Sequence, residues 1–357
     1  MIYLIGGARP NFMKIAALTR AFKKDNLDYE IIHTGQHYDY NMNKIFFKEF
    51  ELKEPMIHLE SGSGTHAEQT ADIMIKLEKY CINNPPKLMF VVGDVNSTMA
   101  AAIVASKLHI PVAHQEAGMR SGDRKMPEEI NRIVTDSISD YLFPISPQDE
   151  ENLLNEGIPK TKILLAGDCM IDNLLYYSKK IKMIKRENHI LVELHRPINV
   201  DNKENLEEIL KALKILSGKI RIVFPLHPRT KKMINFFKLN NYLDQIDFTE
   251  PMGYFEFVKY MSNASIVITD SDGIQQETSI LNIPCVSIRD TTNIAYTIKY
   301  GTNTLMAPEC KKIVKFVKHL LDDKVEIKNN FPELYQKLND GHASERISKK
   351  IEQILKG

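Results

Sequence analysis

Several absences narrow this chain before any motif is read. Formal net charge is only +1 over 357 residues, so no overall basic field draws it to nucleic acid or an anionic membrane, although local cationic sites remain open. Its four cysteines, Cys81, Cys169, Cys285 and Cys310, show no CxxC spacing and follow no secretory signal, which argues for reduced thiols. No HExxH motif or cysteine cluster occurs, so no metal site is expected. No apolar run approaches the ~20 residues of a membrane span. The opening MIYLIGG is short and lacks a basic leader region, so it reads as a first strand rather than a targeting peptide. Neither a short repeat nor a low-complexity tract is present. What remains is a cytoplasmic enzyme or small-molecule binding protein, with neither nucleic acid nor membrane as partner.

The composition, 43% hydrophobic and 26% charged, is that of a globular protein, and the length exceeds a comfortable single core, so two domains are expected. Strand-like runs alternate with amphipathic helices, the pattern of parallel βαβ units. Strands are predicted near Ile2–Ile5, Tyr29–His33, Leu88–Val92, Pro111–His114, Tyr141–Phe143 and Ile163–Leu165. After a Lys- and Asn-rich stretch (Tyr176–Asn188) they restart at Ile190–Glu193, Ile220–Phe224, Ile246–Phe248, Ile266–Ile268 and Pro284–Ser287. The boundary is placed near residue 170, giving α/β halves over 1–170 and 171–342 and a last helix from about Ala343. Two such halves imply a cleft between them, a favoured place for a small ligand.

Residues 89–132 carry the most chemistry. One apolar run ends in Gly93-Asp94, and a second ends in His114-Gln115-Glu116. Ligands of parallel sheets sit outside the strands' carboxyl ends, so Asp94 and Glu116 fall on one rim, with Glu128 and Glu129 shortly after. Carboxylates gathered there suit proton transfer on an organic substrate. They also suit helix capping, above all Glu128-Glu129 behind Pro127.

Other strand ends add candidates. Gly6-Gly7-Ala8-Arg9-Pro10-Asn11 with Lys14 offers backbone amides and two cations to an anion, or is an ordinary βα turn. It lacks the GKS/T ending of a Walker loop. His33-Thr34-Gly35-Gln36-His37-Tyr38 could orient sugar hydroxyls. Asp270-Ser271-Asp272-Gly273 opens a helix that suits a diphosphate, with Glu277 placed for paired hydroxyls; alternatively Asp270 and Ser271 only cap that helix. His195-Arg196 and His227-Pro228-Arg229 follow strands of the second half, where a His–Arg pair suits a negatively charged substrate.

In combination these segments resemble the non-hydrolysing UDP-N-acetylglucosamine 2-epimerase family of bacteria and archaea, nearly end to end. The resemblance rests on GARPNFMK (Gly7–Lys14), HTGQHYDYNM (His33–Met42), VVGDVNST (Val91–Thr98) and HQEAGMRSGDRKMPEEINR (His114–Arg132). It continues through HRPINVD (His195–Asp201), HPRT (His227–Thr230), DSDGIQQE (Asp270–Glu277), RDTT (Arg289–Thr292) and GTN (Gly301–Asn303). Hydrolysing relatives read closer to G-[ST]-R-x-[DE]-[YF] at the first turn, so Arg9-Pro10-Asn11 favours the non-hydrolysing branch.

The resemblance implies the glycosyltransferase-B architecture, two Rossmann-like domains with the helix at 343–357 packing back on the first. It implies a UDP-amino sugar as substrate, inversion at C2 by anti-elimination and re-addition of UDP, no cofactor, and a homodimer. Matched by motif, Asp94, Glu116, Glu128 and His195 take catalytic positions. Arg9, Lys14, His195, Ser271 and Gly273 contact or surround the diphosphate, and Glu277 holds the ribose. Gln36, Arg196 and His227 match a second, regulatory UDP-N-acetylglucosamine site of some members. The alternatives are a hydrolysing epimerase, a glycosyltransferase of the same fold, and a nucleotide-sugar sensor without activity. Three departures stand out: Asp272 where the family commonly has glycine, Asn293-Ile294-Ala295-Tyr296 where it commonly continues ERPE, and Asp72 in place of an arginine tied to the regulatory site.

Overall fold

The computed structural model describes residues 1–35, 47–62, 64–180, 188–292, 294–322 and 327–356. The chain forms two units, Met1–Leu175 together with Leu334–Gly357, and Tyr176–Glu333. Those breaks compare with the expected 170 and 342.

The first unit is built on a six-stranded parallel sheet of β1 (Ile2–Gly6), β2 (Tyr29–His33), β3 (Ile57–His58), β4 (Leu88–Val92), β5 (Val112–Gln115) and β6 (Tyr141–Phe143), in the order β3-β2-β1-β4-β5-β6. β1 (IYLIG) and β4 (LMFVV) are buried along their whole length, which is why both read as unbroken apolar runs rather than alternating ones. The Ala-rich helix Asn96–Lys107 packs between the helices His66–Asn83 and Pro127–Ile138. Its fully buried Ala100, Ala101 and Ala102 let the backbones approach. The last helix, Ala343–Lys356, lies on the helix Arg9–Lys24. It is fastened where Asp172 accepts the amides of Ala343 and Ser344 at 3.0 and 2.7 Å.

The second unit repeats the arrangement with β7 (His189–Glu193), β8 (Arg221–Pro225), β9 (Asp247–Thr249), β10 (Ile266–Thr269), β11 (Cys285–Ile288) and β12 (Asn303–Met306), all parallel, in the order β12-β11-β10-β7-β8-β9. Both sheets therefore have the strand order of a Rossmann fold, as the two-domain α/β reading expects. The second core gathers Ile190, Val192, Ile222, Phe224, Ile266 and Ile268 from the strands with Leu206, Leu210 and Leu213 from the helix Lys203–Ser217.

Two edges differ from expectation. β3 and β12 are short, pair on one side only and carry polar residues, so no apolar run announces them. The strand expected at Ile163–Leu165 is a single bridge from Ile163 to Leu142. All four cysteines are free and buried.

Candidate active site

In each sheet the strand order reverses at one point, and the loops leaving the two strands there diverge to open a crevice. In the first unit that point lies between β1 and β4. The amides of Gly7 and Ala8 donate to Asn11 Oδ1 at 3.1 and 2.9 Å, and Asn11 Nδ2 donates to the Val92 carbonyl at 3.0 Å, fastening one strand end to the other. A side chain at Gly7 would collide with Ser97 Oγ.

Lys14, buried one turn into the helix, forms an ion pair with Glu116 at 2.5 Å. Burial works to lower the Lys14 pKa, but the charges of Glu116, Asp168 and Asp94 outweigh it and raise it. Glu116 leaves β5 in a left-handed conformation with φ 72°. That conformation costs a side chain-bearing residue about 1–2 kcal/mol. Gly93 shares it, and a Cβ there would stand 3.4 Å from both Lys14 Nζ and Glu116 Oε2. A strained glutamate and a bare glycine thus make room for the part-buried pair. His114 braces the turn, with Nε2 2.9 Å from the Gly93 carbonyl and Nδ1 2.7 Å from Asp136.

Asp94 is bound by Arg132 at 2.6 Å, and Arg132 is held in turn by Glu129 at 2.6 Å. Burial works to raise the Glu129 pKa, but hydrogen bonds from the Ser121 and Gly122 amides and from Arg132 hold it at about 2. Of the two acids that open the helix Pro127–Ile138, Glu129 is therefore a buried anchor. Glu128 is half-buried and makes no hydrogen bond to Asp94 or Glu116 among the described residues. Arg9 begins the helix Arg9–Lys24, its side chain lying outside what is described, and Gln36 lies outside the described residues altogether.

In the second unit the order reverses between β7 and β10. His195 follows β7 with Nδ1 2.7 Å from Glu193 Oε1, which leaves Nε2 as the nitrogen free of that bond. Burial works to lower the His195 pKa, but the Glu193 bond and charge, with Asp270, raise it. Asp270, fully buried at the end of β10, accepts the amides of His195 and Arg196 at 3.1 Å each and Asn199 Nδ2 at 3.0 Å. Its carboxylate is consumed in tying the two strand ends, so it does not cap the next helix. Ser271 occupies the N-cap position of the helix Asp272–Ile280 without a side-chain cap bond. Gly273 has open space where a Cβ would be, with only Ser271 Oγ within reach among the described residues, at 3.9 Å. Glu277 is buried further along that helix and accepts the Tyr254 hydroxyl at 2.6 Å. The His227 ring stands 5.7 Å from that of His195, while Arg229 is turned away to Asp201.

The departures acquire structural partners. Asp272 binds Arg196 at 2.6 Å, Arg289, and the Thr292 hydroxyl at 3.1 Å. Its charge is therefore matched by two cations rather than presented bare to an anion. Ile294 is buried and the Tyr296 hydroxyl accepts from Gln276 at 2.9 Å, while Asn293 lies outside the described residues. Asp72 pairs with Lys76 on its own helix at 2.7 Å.

The structure thus gathers Asp94, Glu116 and Lys14 in one crevice, and His195, Arg196, Ser271 and Gly273 in the other. Sequence reading gave Asp270 only as a helix cap and gave Asn11, Arg132, Glu193 and Arg289 no role; all five position these groups, most of them through contacts distant in the chain. One signal was available, since Glu193 stands two residues before His195. Glu193, His195 and Asp270 are also the group of described residues that brings three ligand atoms within 4.8 Å. Asp270 already spends its oxygens on N–H donors, which is the arrangement of a structural link rather than of an open cation site.

A family model described as UDP-N-acetylglucosamine 2-epimerase matches residues 20–352. The UDP-N-acetylglucosamine 2-epimerase of Methanocaldococcus jannaschii is 41% identical over 360 residues, covering 96% of each chain. The UDP-2,3-diacetamido-2,3-dideoxy-D-glucuronate 2-epimerase of Pseudomonas aeruginosa is 36% identical over 361 residues, covering 99% of each. The solved structure of the Methanocaldococcus jannaschii enzyme in complex with UDP-GlcNAc and UDP matches at a TM-score of 0.85 and 40% identity, covering 99% of both chains.

Proposed function

Because the chain belongs to the UDP-N-acetylglucosamine 2-epimerase family, we propose that it inverts C2 of UDP-N-acetylglucosamine or a closely related UDP-amino sugar without net hydrolysis. The observation that carries this reading is the part-buried Lys14–Glu116 pair beside Asp94 at the point where the first sheet reverses. C2–H is weakly acidic, so its removal needs a positioned base while the C1–O bond breaks with its electron pair going to the β-phosphate oxygen. The C1=C2 double bond of a 2-acetamidoglucal results. Re-addition of UDP with protonation of the opposite face gives the epimer.

Asp94, Glu116 and Glu128 are assigned to the proton transfers, since one carboxylate cannot easily serve both faces. His195, Arg9, Lys14 and the amides around Ser271 and Gly273 are assigned to the diphosphate, where donors and positive charge stabilise the leaving group. Glu277 is assigned to the ribose. Gln36, Arg196 and His227 retain their match to a second nucleotide site. The commitment of Arg196 to Asp272 and of Asp72 to Lys76 supports turnover without activation by substrate. The chemistry calls for no cofactor. A cytoplasmic homodimer is the setting and assembly that the family carries, and sedimentation of the purified protein tests the dimer.

Incubation with UDP-N-acetylglucosamine in heavy water tests the reaction. Deuterium at C2 in both the gluco and manno nucleotides is expected, and absence of deuterium and of any manno product would overturn the reading. Accumulation of free N-acetylmannosamine with UDP would identify a hydrolysing enzyme instead.

A further inference from the structure

The Lys14–Glu116 pair has a neighbour that the proposed chemistry leaves unused. Asp168 immediately precedes the helix Cys169–Lys180 and is 1% exposed. Its Oδ1 accepts the Met170 amide at 2.8 Å, while Oδ2 has no hydrogen-bond partner among the described residues. The start of that helix is fastened beside Lys14, because Asn173 donates to the Met13 carbonyl and accepts from Arg20. Asp168 consequently feels the charges of both Lys14 and Glu116.

A buried carboxylate oxygen without a donor is costly, and the cost falls away when the carboxyl carries a proton. The charges around it point the same way. Lys14 is the cation acting on both Glu116 and Asp168, and Asp94 draws on it too. Asp149 acts on Glu116 from the helix Pro147–Asn155. Asp172 and the Cys169 thiol lie on Asp168's own helix, and Arg346 of the last helix is taken by the Ala166 carbonyl and Asp340. Among the described residues one ammonium thus faces the buried Asp168 carboxyl and the part-buried Glu116.

We propose that Asp168 is a positioning residue for the proton-transfer site, a buried second carboxyl that leaves the charge of Lys14 to Glu116 while it carries a proton and draws on that charge when it ionises. This rests on the epimerase reading above, in which Glu116 handles a proton at C2. Burial, then the Glu116 charge, push the Asp168 carboxyl up to about 7, with Lys14 and the Met170 amide acting against them. Below that range Asp168 is neutral and Lys14 serves Glu116 alone. Above it the ionised Asp168 draws on Lys14 as well.

The test is the pH profile of C2 deuterium exchange for the wild-type full chain and Asp168→Asn. The wild type should show a limb near neutrality. In the variant that limb should vanish or move by roughly one pH unit, with KM changed less than about twofold because Asp168 does not touch substrate. Superimposable profiles would overturn the proposal, since a merely structural residue would alter stability and leave the limb in place. If the wild type exchanges no deuterium, the epimerase reading fails, and a second measurement still decides Asp168. Carbon-13 spectra of carboxyl-labelled aspartate should show a resonance titrating near neutrality that persists in Asp149→Asn. Its midpoint should fall in Glu116→Gln, a comparison that does not require Asp168→Asn to fold. Absence of that resonance, or a midpoint indifferent to Glu116, would overturn the proposal.

Discussion

Replacing Asp272 by asparagine should tighten the binding of UDP while loosening the fold. Asp272 stands in the first turn of the helix Asp272–Ile280, bound to Arg196 at 2.6 Å, to Arg289 and to Thr292. The three charged groups sum to one positive charge, and Asp272→Asn raises that to two with little change of shape. For an anion roughly 7 Å away in an effective dielectric of about 40, the removed charge is worth ~1.2 kcal/mol against one phosphate charge, about eightfold in affinity. Against this, two partly buried ion pairs are lost, a stability cost of about 1–3 kcal/mol. For units of this size each kcal/mol lowers Tm by roughly 2–4 °C. Titration calorimetry with UDP at low salt should show the tighter Kd. The advantage should shrink near ~1 M salt, where the Debye length falls to about 3 Å. Unchanged or weaker UDP binding in the variant at low salt would refute the view of Asp272 as an electrostatic counterweight, and an unchanged Tm would refute its role as a clamp.

Gly93→Ala should destabilise the first unit by about 2 kcal/mol, because φ is 72° and the new methyl would press on Asn11, Lys14 and Glu116; thermal melting and C2 exchange should fall together. Glu193→Gln should lower the His195 pKa, because burial and Arg196 then act on the ring with only the Asp270 charge opposing them. A histidine raised on folding contributes stability that is full below its unfolded pKa and lost as pH rises through the folded value. The wild type should therefore lose stability as pH climbs above about 6.5, and the variant should show a flatter Tm-against-pH curve there.

Much of the architecture was legible because the central strands of both sheets are buried on both faces and must be apolar throughout. β1, β4, β7 and β10 announce themselves, and with them the positions of Gly93, Asp94, His195 and Ser271 at their ends. β3 and β12 did not, because the two residues of one and the four of the other mix polar with apolar side chains and make no apolar run. The motif order also named the family, since so many functional residues stand in contiguous runs.

What the sequence by itself determined is the parallel α/β repeat, the family, and the side chains gathered at strand ends, all consequences of local pattern and residue order. Only the tertiary structure decided their partners. It set Arg132 on Asp94, spent Asp270 on the amides of His195 and Arg196, matched Asp272 with two arginines, and left one oxygen of Asp168 without a donor among the described residues. Charge balance and desolvation depend on distances between residues far apart in the chain, and no local pattern encodes those distances.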